Sequence, residues 1–146
     1  MNIYQRLKQD HTKQRELGKK ILKTSGDSDQ RNTLFAEYKA ELTGHASAEE
    51  QTLYAALIEK PDGQEQAQHS VAEHKQLADL IEDLENTYMA HGAWLQKFEK
   101  LDHEVVHHVD EVEDDVFPLA KKLIDDEKAE HLADKFEKRK AMQSSD

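Results

Sequence analysis

His11, His45, His74 and His108 each interrupt a run of apolar residues at helical spacing, and Glu49 and Glu113 fall beside two of them. The pattern is clearest late in the chain. Val105, Val112, Val116 and Leu119 extend a stripe begun by Trp94, Phe98 and Leu101. At a step of about 100° per residue, His108 lies roughly 55° to one side of the stripe centre and Glu113 roughly 80° to the other. An imidazole and a carboxylate therefore flank a face that points into a core. Burying either without a partner is costly, and a metal ion would satisfy both. Carboxylates beside imidazoles suit more than one cation, because a Glu can bridge two and offset their repulsion.

The elements that must position these groups read as helices. The spacing predicts helices over 2–23, 29–59, 64–90 and 93–124. A short extra one over 127–142 is expected to pack on the outside or end of the others. Each of the four long helices carries one of the four histidines, and in an up-down arrangement residues near mid-helix meet at one level. Ser25, Gly26 and Asp27 mark the first turn, Pro61, Asp62 and Gly63 the second, and His91 and Gly92 the third. Pro118 is expected to kink the last long helix or end it near Phe117. Tyr54 and Tyr88 read as core, and Tyr54 near a metal could donate a hydrogen bond. His91, His103, His107 and His131 read as solvent-facing, with His107 roughly 155° from the stripe centre. His107 and Glu111 keep an i, i+4 relation as a fallback ligand pair. Asp10 and Glu50 read as partners that orient an imidazole, or as solvated residues. The last four residues, 143–146, read as a frayed end.

The chain has 146 residues, enough for one domain over 1–146 with a single sizeable core. A formal charge of −11 argues against nucleic acid and anionic membrane surfaces as partners. Cysteine is absent, which removes disulfides, thiolate catalysis and thiolate-bound zinc or iron–sulfur clusters. Asp, Glu, His and Tyr remain as ligands, and they suit iron, manganese or zinc. No apolar run approaches the ~20 residues that span a bilayer, so a cytoplasmic location is expected. Strands, Gly-rich phosphate loops and nucleophilic Ser elbows find no support.

Four pieces in order resemble the hemerythrin and HHE cation-binding family. They are Asp10-His11; His45-Ala46-Ser47-Ala48-Glu49-Glu50 with Leu53-Tyr54; Glu73-His74; and His107 to Glu113 closing on Phe117-Pro118. The resemblance covers roughly residues 3 to 136. It implies an all-α fold, an antiparallel up-down four-helix bundle around a non-haem di-iron centre. Two iron ions would be the cofactor, with Mn or Zn as possible substitutes. His11, His45, His74 and His108 would be nitrogen ligands, and Glu49 and Glu113 the bridges. In one place the sequence departs from the oxygen-carrying members, which have His-x3-His on the third helix: Ser70 stands four residues before His74. One metal loses a nitrogen ligand, with Glu73, His69 or water as substitutes. This argues against plain oxygen carriage and for an open or water-filled position where peroxide or nitric oxide could bind and react. The expected role is to bind, sense or handle O2, peroxide or NO, or to hold iron. Alternatives are an iron-dependent enzyme that decomposes peroxide or donates iron for iron–sulfur cluster repair, and a non-catalytic helical module binding another metal. A ferritin-like Glu-x-x-His site has one instance, Glu104 to His107, on the wrong side of the stripe.

Overall fold

The computed structural model describes residues 1–144, and among them every regular element is helical. Helix α1 spans Ile3–Leu22 and α2 Asp29–Glu49. A wide π-helical turn, Glu50–Tyr54, joins α2 to the short α3, Ala55–Ile58. Helix α4 covers Gln64–Glu85 and α5 Gly92–Glu111. A second π-helical turn, Val112–Val116, leads into α6, Phe117–Leu123. Helix α7 runs over Asp126–Ser144. It has 19 residues, so it is no short appendage. It also runs on through Gln143 and Ser144; the rest of the frayed end read from the sequence, residues 145–146, lies outside the described residues.

Local chemistry sets the ends. Asn2 and Gln5 form a reciprocal capping box at the start of α1. Ser28 caps α2, the His91 ring accepts from the Ala93 N–H at the start of α5, and Asp125 accepts from the Lys128 N–H at the start of α7. Arg31 is buried and ties two turns together. It donates to the Thr24 hydroxyl and carbonyl and to the Met89 carbonyl, and its guanidinium lies over the Trp94 ring. The turns from α1 to α2 and from α4 to α5 therefore sit at one end of the molecule.

Gln14 bonds Glu41 and the His11 ring meets the His45 ring, so α2 runs back along α1. Lys97 pairs with Asp83 and His108 with Glu73, so α5 runs back along α4. Pro118 does not end the chain's fourth long helical run. A proline in a helix loses one N–H bond and crowds the carbonyl four residues earlier. The wide turn just before it makes that room, and the helix continues to Leu123. Tyr88 differs from its reading as core. Helix α4 stops at Glu85, and Tyr88 lies beyond it, 87% exposed.

The buried apolar residues form two clusters. One holds Ile3, Leu7, Leu53, Leu57, Val116, Phe117 and Phe136. The other holds Leu17, Ile21, Phe35, Tyr38, Trp94, Phe98 and Leu101. Along α1 the order is Leu7 in the first cluster, then His11 and Gln14, then Leu17 in the second. The same order recurs along α2, α4 and α5 in their own directions. A layer of buried polar side chains thus separates two apolar cores.

Candidate metal centre

That layer brings together five of the six residues singled out from the sequence. His11, His45 and Glu49 place one ligand atom each within 4.8 Å of one another, and so do Glu49, His74 and His108. Glu49 belongs to both groups and is fully buried. The ring centroids of His11 and His45 are 5.3 Å apart, and those of His74 and His108 4.9 Å. His45 Nε2 lies 3.5 Å from Glu49 Oε2, and His74 Nε2 lies 3.1 Å from Glu49 Oε1. Each carboxylate oxygen is faced by a different histidine.

The sixth residue, Glu113, stands outside both groups. Its Oε2 is 2.7 Å from His11 Nδ1. The placement has a local cause. Glu113 sits inside the second π-helical turn, where the ideal step of 100° per residue no longer applies. Two other rings are held as His11 is. His45 Nδ1 lies 2.7 Å from Asp10 Oδ2, and His108 Nδ1 lies 2.7 Å from Glu73 Oε1. A carboxylate on Nδ1 fixes the tautomer and leaves Nε2 free for a cation. His74 has the looser support of Glu50 Oε2 at 3.8 Å.

Charge in the layer is finely divided. Burial lowers the His11 pKa to about 4, and the nearby His45 pushes the same way. Burial and the adjacent His74 lower that of His108. For His45 burial also favours the neutral ring, but Glu49 and Asp10 outweigh it and raise the pKa to about 9. Burial opposes the charge on His74 too, and Glu49 with Glu50 raises it to about 9. Glu49, despite its burial, is held well below the usual carboxylate range by His45 and His74. One protonated imidazole in each group thus supplies the positive charge that a cation would supply.

A cation in each group fits what is left unsatisfied. Neither Glu49 oxygen receives a well-directed hydrogen bond, and the Ser70 hydroxyl, the Tyr54 hydroxyl and His74 Nδ1 are also buried without one. Unpartnered buried polar atoms are rare in native proteins, and five of the seven among the described residues fall here, the other two being the Tyr4 hydroxyl and Gln66 Nε2. The Tyr54 hydroxyl belongs with Ser70 and Glu49; burial and the Glu49 carboxylate push its pKa well above the usual value. The suggested substitutes for the absent histidine lie elsewhere: Glu73 holds His108, and His69 Nε2 is 2.8 Å from Glu111 on the surface. A cavity of about 460 Å³ reaches the four histidines between α2 and α4, with Thr43, Ser47, Glu50 and Lys75 toward its mouth.

The sequence points to Asp10 as a partner that orients an imidazole, but not to the residues behind it. Asp10 Oδ1 is 2.6 Å from Arg6 Nη1 and 2.8 Å from Lys140 Nζ, and Lys140 is 2.7 Å from Glu41. Arg6 also pairs with Glu137, and the Phe136 ring packs on His45 at 5.5 Å. Three residues of α7 therefore stand behind one ligand group.

A profile of the hemerythrin HHE cation-binding domain matches residues 2–120. The chain belongs to that family. Beyond the profile, this HHE domain is 30% identical over 139 residues to the uncharacterized protein Rv2633c of Mycobacterium tuberculosis, covering 93% of this chain and 83% of the relative. A Mycobacterium bovis protein, Mb2666c, also uncharacterized, matches to the same extent. The crystal structure of an HHE cation-binding domain-containing protein from Mycobacterium kansasii, an Rv2633c homologue, superposes with a TM-score of 0.90 at 27% identity, over 99% of this chain and 88% of that one. Helix α7 lies past the matched residues of the profile, although it braces the centre.

Proposed function

We propose that this HHE domain is a cytoplasmic di-iron protein that binds, senses or handles O2, peroxide or NO. We read its helices as an up-down four-helix bundle of α1, α2 with α3, α4, and α5 with α6, flanked by α7, in one domain. The carrying observation is Glu49: one fully buried carboxylate whose two oxygens face histidines of two different groups. His11 and His45 would hold one cation and His74 and His108 the other, with Glu49 joining them. Iron suits the N- and O-donor set, and manganese or zinc could substitute. Two adjacent iron ions would supply two electrons to a small oxidant, one from each ion.

The chain's own groups do the rest. Asp10, Glu73 and Glu113 orient the imidazoles and keep Nδ1 protonated. The two apolar cores keep bulk water from the layer on both sides. Ser70 is too short to ligate from the position where a histidine is absent, and the Tyr54 phenol beside it is placed to bind there or to donate its proton to a ligand. The cavity between α2 and α4 admits that ligand.

Anaerobic reconstitution with ferrous iron tests the reading. At least two iron ions per chain and, after air, a near-ultraviolet absorption that bleaches on reduction are expected. Fewer than one iron per chain would overturn it. His131→Ala should leave the iron count intact, because His131 is exposed on α7.

A further inference from the structure

Four clusters of metal-ligating residues occur among the described residues. Two form the buried centre. The third, Asp10, Glu41 and His45, is already neutralised by Lys140 and Arg6. The fourth is on the outer surface of α4 and α5 and combines His69, Glu73 and Glu111. His69 Nε2 lies 2.8 Å from Glu111 Oε1 and 3.5 Å from Glu73 Oε2. His107 stands outside that group of three but next to it, its Nε2 3.9 Å from Glu111 Oε2, the oxygen that His69 does not face.

The arrangement is a pair of His-x3-Glu motifs, His69 with Glu73 and His107 with Glu111, on neighbouring helices. Residues four apart share one helix face, so each motif presents both side chains together. With metal bonds of about 2.0–2.2 Å, tetrahedral ligands stand roughly 3.3 Å apart. The separations here bracket that value. The carboxylates are mostly covered, with side chains 17% and 18% exposed, while His69 and His107 are 54% and 65% exposed and free to close over an ion. No lysine or arginine pairs with Glu73 or Glu111 among the described residues. Glu73 Oε1 is engaged by His108, so only Oε2 is offered outward.

We propose that His69, Glu73, His107 and Glu111 form an exterior site for one divalent cation of the zinc or ferrous class. Two imidazoles and two carboxylates select such an ion over magnesium or calcium, which prefer all-oxygen shells. Through Glu73, the site touches His108 of the buried centre without sharing a metal with it. An ion captured there is one residue away from the centre it could fill.

Equilibrium dialysis of metal-free protein against Zn2+, with excess Mg2+ present, tests this. The wild type should hold three zinc ions per chain, and the double variant His69→Ala/Glu111→Gln two, with the third weakened roughly ten-fold or more. His69 is exposed and Glu111→Gln keeps the side chain's shape, so helical circular dichroism should be unchanged. A count of one in the wild type, lost in the double variant, would support the exterior site while sinking the reading of the buried centre. A count of two in the wild type, or any count that the double variant leaves unchanged, would overturn the exterior site.

Discussion

The two halves of the centre share Glu49 but are built differently. Behind His45 the support is three layers deep: Asp10, then Arg6 and Lys140, then Glu41 and Glu137. The His11 ring lies face on to Phe117 with centroids 6.2 Å apart, and its Nδ1 partner Glu113 is itself within 3.7 Å of Arg15. His74 and His108 have thinner backing. Glu50 is 36% exposed and stands 3.8 Å away from His74, and Glu73 is shared with the surface residue His69. The orphaned Tyr54 and Ser70 hydroxyls lie on this side. The difference separates two tasks. Under the proposed function the braced half would keep its cation, and the half that adjoins the unpartnered hydroxyls would exchange a ligand.

The largest effect is expected where the halves meet. Glu49→Ala should remove both cations of the buried centre, lowering the metal count per chain by two. Retention of both would mean that the shared carboxylate joins nothing. Next, Lys140→Met should weaken one cation only, roughly ten-fold or more as for other groups that orient a ligand, while Lys140→Arg restores it. Metal counting during a chelator titration would show a split into two steps in Lys140→Met. A uniform shift of both ions would erase the asymmetry.

Tyr54→Phe should leave two cations bound and change the near-ultraviolet and visible spectrum of the iron-loaded protein, because only the less-braced half loses an oxygen. An unaltered spectrum would return Tyr54 to a packing role.

A smaller effect concerns pH. In metal-free protein the pKa values of His45 and His74 are raised from 6.5 to about 9. A group raised on folding adds stability that is complete below its unfolded value and lost as pH climbs through its folded value. Chelator-treated protein should therefore lose melting temperature between about pH 6.5 and 9. The metal-loaded protein should be flat over that window, since cations replace the two protons. A flat profile for the metal-free protein would show that His45 and His74 do not carry the charge opposite Glu49.

What could be read from the sequence follows from these same residues. His11, His45, His74 and His108 were legible because each sits on an apolar face, where an unpaired imidazole is costly. Their common depth was legible because each helix passes from one apolar cluster through a histidine to the next. Glu113 was legible as flanking the core face, where it meets His11; its bridging role rests on the resemblance, and its carboxylate stands outside both groups. Tyr88 looked like core because its spacing continued the α4 stripe beyond the point where the helix ends. Lys140 and Glu137 carry no signal of their own in a chain rich in charge. Their role exists only because α7 lies against α1 and α2, which is a fact of packing.

In the proposed centre Glu49 lies between two cations. Anomalous diffraction at the iron edge from crystals of the anaerobically reconstituted protein measures this directly. Two peaks about 3.5–4 Å apart on either side of the Glu49 carboxylate, one against His11 and His45 and the other against His74 and His108, are the expected result. A single peak beside Glu49, or two peaks on the same side of it, would contradict it.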